Sequence, residues 1–118
     1  GCEYLEFINL ENIKEVSDYA FTSCVYLENI DLTNVETIGE AAFADTYVSG
    51  TLTMNKLKVV KDFAFQGARI NSISASNLEE IGYAAFQNNT QLTSFTFSDK
   101  LSKIDSLAFN GCEKLTSF

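Results

Sequence analysis

The sequence predicts an all-β-rich repeat solenoid of about five coils, each 21–23 residues long, with a parallel β-sheet along one face and short helical turns. Three observations carry this. Phe21, Phe43, Phe65, Phe86 and Phe109 recur at intervals of 22, 22, 21 and 23 residues, each preceded by Ala, and periods of this size mark stacked supersecondary units. Apolar pairs two residues apart return at one offset: Ile8 and Leu10, Ile30 and Leu32, Leu52 and Met54, Ile73 and Ala75, Phe95 and Phe97. No copy is long enough to close a core alone, so the copies must bury their faces on one another.

In order along the chain, the first copy sets Cys2, Leu5, Ile8, Leu10, Ile13, Val16, Ala20 and Phe21 inward. The second keeps that register with Cys24, Leu27, Ile30, Leu32, Val35, Ile38, Ala42 and Phe43. The third places Thr46 and Ser49 at its first two positions, then Leu52, Met54, Leu57, Val60, Ala64 and Phe65. The fourth gives Ile70, Ile73, Ala75, Leu78, Ile81, Ala85 and Phe86, and the fifth Leu92, Phe95, Phe97, Leu101, Ile104, Ala108 and Phe109. A sixth begins at Cys112, Leu115 and Phe118. The chain starts without Met and stops inside a copy, so residues 1–118 read as one solenoid that is a piece of a longer chain.

Residues two apart share one face of a strand, so each apolar pair predicts a short strand. Stacked in register, these make a single parallel sheet about 4.8 Å per coil, roughly 24 Å for five coils. A second, weaker extended segment surrounds Val16, Ile38, Val60, Ile81 and Ile104. The Ala-Phe step then closes each turn, with the Phe rings stacked through an elongated core and the small Ala leaving room for them. Gly39 and Gly82 share a position that Lys61 fills in another coil, which points to close packing rather than a left-handed backbone.

The pattern C-x-x-L-x-x-I-x-L-x-x-V-x-x-I-G-x-x-A-F, read from Cys24 to Phe43, resembles the BspA-like class of leucine-rich repeats over essentially the whole chain. Ile13, Val35, Leu57 and Leu78 stand where the general leucine-rich repeat has Asn or Cys. Pro, common after the strand in this class, is absent from the sequence. The resemblance implies a right-handed, curved leucine-rich-repeat array in cell-surface or secreted proteins of bacteria and protists, adhering to a host or neighbouring cell.

The outward strand residues are what a partner would meet. They are Phe7, Asn9 and Glu11; Asn29, Asp31 and Thr33; Thr51, Thr53 and Asn55; Ser72, Ser74 and Ser76; Ser94, Thr96 and Ser98. Such a small, polar face suits plain solvation, or recognition of a protein or glycan, since repeat arrays present extended surfaces. Its hydroxyl rows are too irregular for an ice-binding plane. Charge is lopsided: residues 1–45 hold ten acids against Lys14, a balance of −9, whereas the remainder holds seven cations against six acids. An acidic half disfavours nucleic acid and anionic membranes, and no run approaches the ~18 apolar residues of a membrane span.

Catalytic chemistry lacks material. The sequence has no His, hence no imidazole base or His metal ligand, and no phosphate-cradling Gly-rich loop or C-x-x-C cluster. Glu11 and Asp31 fall short of a calcium cage, so no metal and no cofactor is expected. Cys2, Cys24 and Cys112 share one repeat position and read as small buried hydrophobes, with a Cys2–Cys24 disulfide possible but not favoured. Asn88-Asn89-Thr90 matches the glycosylation sequon in a turn. Two readings remain: a non-catalytic adhesion or recognition module using the strand face, and a structural spacer that self-associates end-to-end through uncapped coils.

Overall fold

A computed structural model of the chain describes the backbone of residues 7, 8 and 10–115 and the side chains from Leu10 to Leu115. Cys2, Leu5, Asn9, Phe118 and the side chains of Phe7 and Ile8 lie outside the described residues. Each coil carries two short strands. The apolar pairs form β1 (Phe7–Ile8), β3 (Asn29–Ile30), β5 (Ser49–Thr53), β7 (Arg69–Ala75) and β9 (Ser94–Phe97). Between them lie β2 (Glu15–Val16), β4 (Thr37–Ile38), β6 (Val59–Val60), β8 (Glu80–Ile81) and β10 (Lys103–Ile104). Pairing is parallel throughout.

The second extended segment, expected to be the weaker, makes the continuous sheet, in the order β10-β8-β6-β4-β2. The face expected to be one sheet is instead divided into β1-β3 and β5-β7-β9. The break has a local cause in the third copy. Val48, fully buried, takes the inward position expected of Ser49, which is exposed. The turn from the buried Thr46 is thus one residue shorter than that from Cys24 to Leu27. The Ser49 amide still reaches back, to the Glu28 carbonyl at 3.2 Å. On the other flank the register shifts between Gly50 and Thr51, leaving Asn71 as an extra residue on β7. Gly50 takes φ +82° and donates its N–H to the Asn71 Oδ1 at 3.0 Å.

The arcs around Ala-Phe are chains of turns, with no helix among the described residues, which corrects the short helical turns expected there. Two residues in each arc adopt left-handed backbone. Two before each Phe stand Tyr19, Ala41, Phe63, Ala84 and Leu107; two after stand Ser23, Asp45, Gly67, Asn88 and Gly111. This geometry turns amides away from their own coil toward the next. The Phe21, Phe43, Phe65 and Phe86 N–H groups each donate at 2.8 Å to the Ala carbonyl of the following coil, so the backbone is satisfied across the stack.

Inside, the phenylalanines form the expected column, with centroids 5.3–5.5 Å apart and planes within 15° from Phe21 through Phe109. Phe43, Phe65 and Phe86 are fully buried, each worth roughly 1.5–3 kcal/mol in transfer free energy. Burial fails at the terminal coils, where Ile13 is 39% and Ile104 46% exposed. The molecule is less elongated than expected. Its radius of gyration is 12.6 Å, with extents of 37 × 29 × 21 Å, close to the ~13 Å of a compact domain of about 100 residues.

Candidate partner-binding face

The outward residues of β3, β5, β7 and β9 meet solvent because side chains alternate along a strand. Asn29, Asp31, Thr33, Thr51, Thr53, Asn55, Ser76 and Thr96 are exposed, and Ser72, Ser74, Ser94 and Ser98 half-buried. Glu11 is exposed and flanks the same face. The break between β3 and β5 divides these residues into two patches, so they do not make one uninterrupted plane.

Side chains on the larger patch are bonded between coils. The Thr51 and Ser72 hydroxyl oxygens lie 2.8 Å apart. Asn55 Oδ1 accepts from the Ser76 N–H at 3.3 Å and its hydroxyl at 3.2 Å, and more weakly from Ser74 at 3.4 Å. On the smaller patch, the Thr33 hydroxyl and N–H both donate to Asp31 Oδ1, which holds that carboxyl below its ordinary pKa. Beyond the strands, Lys56 and Lys100 donate to Asn34 and Asn77 of the preceding coils. These bonds fix rotamers along the rim and leave the face ordered.

Several features were not apparent from the sequence. Arg69, at the head of β7, lies with its guanidinium carbon 3.7 Å from the Tyr47 ring centroid. Its signal was present in the sequence, since Tyr47 and Arg69 each stand four residues after a column Phe, and neighbouring coils bring one such position against the next. Along the continuous sheet runs a groove of about 290 Å³ lined by Asp18, Glu40, Asp62, Glu80 and Asp105 with Lys61 and Lys103. No group of three or more His, Cys, Asp or Glu side chains among the described residues is placed to hold a metal ion.

The cysteines separate. Cys24 is buried and disulfide-bonded, which corrects its reading as a plain buried hydrophobe; one ladder position places such side chains within bonding reach along the stack. Cys112 keeps a free thiol, whose pKa burial pushes up, and its Sγ donates to the Phe86 carbonyl at 3.1 Å. Asn88 of the sequon is exposed in a left-handed turn. Asn89 beside it is fully buried, donating to the Phe65 and Phe86 carbonyls at 2.8 and 3.0 Å and accepting from the Ile70 N–H at 3.3 Å.

Residues 1–116 match the family model of the BspA type leucine rich repeat region, in six copies. No curated protein sequence matches the chain. Among solved structures it is similar to a leucine-rich repeat protein from Bacteroides ovatus ATCC 8483, at 24% identity and a TM-score of 0.67. That likeness shows the fold. It covers 100% of this chain and 37% of the other.

Proposed function

Because the chain belongs to the BspA type leucine rich repeat family, we propose that it is a non-catalytic recognition module, binding a protein or glycan of a host or neighbouring cell through its polar strand face. The family points to protein interaction, and the observation that carries the reading to this face is the inter-coil bonding of its short polar side chains. The bonds from Thr51 to Ser72 and from Ser76 to Asn55 hold an extended surface in place before any ligand arrives, which lowers the ordering cost of association. A cell-surface or secreted setting fits the Cys24 disulfide, since such bonds persist in oxidising compartments.

The test is binding of the purified chain to immobilised matrix proteins, cell-surface proteins and glycans, beside Thr53→Lys and Ser74→Lys variants with matched melting curves. Saturable binding lost in both folded variants supports the strand face; binding unchanged in both moves the site elsewhere. Exposed Ile13, Ile104 and Leu107 at the terminal coils favour a second reading, a spacer that contacts its neighbours end-to-end. Sedimentation that depends on concentration, with no ligand bound across the panel, would select it.

A further inference from the structure

Seven of the eight cations in the sequence are lysines, and the eighth is Arg69. Among the described residues its guanidinium donates no hydrogen bond and pairs with no carboxylate, although the chain carries 16 acidic residues. What holds it is the Tyr47 ring, 3.7 Å away. Stacking of this kind orients the planar fork while leaving its N–H donors free. A positioned guanidinium without a counterion is arranged for an anion from outside, and a carboxylate matches its fork in bidentate geometry.

The surroundings narrow the ligand. Arg69 pairs in register with Ser49 and is followed by the Asn71 bulge, which turns both Asn71 and Ser72 outward; bulges re-aim side chains in this way. Asn71 Oδ1 is occupied by the Gly50 N–H, which leaves the side-chain NH₂ to donate. A Cβ at Gly50 would meet nothing within 4 Å, so the surface is open at that residue, and the Thr51–Ser72 hydroxyl pair lies next along the strands. A lone cation stacked on an aromatic ring among amide and hydroxyl groups suits a sugar acid, whose ring and hydroxyls these groups can meet.

The geometry points to Arg69 as the anchor for the carboxylate of an acidic saccharide, with Asn71, Ser72 and Thr51 meeting its hydroxyls. This rests on the strand face being the recognition surface. The experiment titrates the chain with polygalacturonate oligomers, their fully methyl-esterified form and polyglutamate, for the wild type, Arg69→Gln, Arg69→Lys and Thr53→Lys. Polygalacturonate binds saturably and its ester more weakly. Arg69→Gln weakens binding by about tenfold or more at unchanged melting temperature, and Arg69→Lys, which keeps charge without the fork, falls between. Equal binding by Arg69→Gln, or polyglutamate binding as tight as the saccharide, overturns the inference. Failure of polygalacturonate beside another ligand lost in Thr53→Lys overturns it while the strand-face reading stands. Binding that needs Arg69 and is indifferent to Thr53→Lys keeps the anchor and overturns that reading.

Discussion

A carboxylate on one coil and a missing Cβ on the next form a working pair. Asp18 Oδ1 accepts the Glu40 N–H at 2.8 Å, and Asp62 Oδ1 accepts the Tyr83 N–H at 2.9 Å. A Cβ on Gly82 would sit 2.5 Å from that Asp62 oxygen and 2.7 Å from its amide nitrogen. Gly82→Ala should therefore cost about 1–3 kcal/mol in urea unfolding, and adding Asp62→Ala should recover only part, since the backbone contact stays. The sequence disclosed close packing at Gly39 and Gly82 because Lys61 shares their position; it did not disclose the carboxylates, which lie one coil away. Asn89 was equally hidden, its column being held elsewhere by Cys24, Thr46, Ala68 and Cys112, where size alone is the common factor. For Asp31, a folded pKa below the ordinary ~3.9 makes its contribution to stability present above that value and lost as pH falls through the folded pKa. Thr33→Ala should raise the Asp31 pKa toward its ordinary value in an NMR titration, with little change elsewhere.

The Phe column and the paired strands show what period and spacing can specify. Both follow from residues that recur at one offset, so their inward positions were legible through the three central coils. The division of the strand face was not. It depends on a single substitution of roles, Val48 for Ser49, which leaves the 22-residue interval from Phe43 to Phe65 unchanged, and on the bulge at Asn71, whose place within the 21-residue interval from Phe65 to Phe86 the count alone does not give. The candidate residues were legible as a solvent-facing set, because alternation decides that, but their grouping into two patches required the register. Phe43 lies between Phe21 and Phe65 at 5.4 and 5.3 Å. Phe43→Asp should destabilise by more than about 4 kcal/mol, since it buries a charge without a partner. A melting temperature close to wild type would contradict the stacked core.

Across the whole molecule, stability resides in contacts between neighbours, as in any stack of short units, and the first two coils are also the most acidic. Reducing the disulfide at Cys24 should remove about 2–4 kcal/mol, seen as a lower melting temperature in reductant; no shift would mean the bond adds nothing to the fold. The half-buried Cys112 thiol should meanwhile react slowly with iodoacetamide until the chain unfolds. The alternation of Asp18 with Gly39 and of Asp62 with Gly82 bears on how such an array can grow. Excising one coil would set Asp18 against Lys61, whereas excising two would set it against Gly82 and restore the bonded contact. For this contact, then, the step that preserves it is two coils and not one, so the chemical repeat along this edge is twice the geometric repeat from the first coil to the fourth.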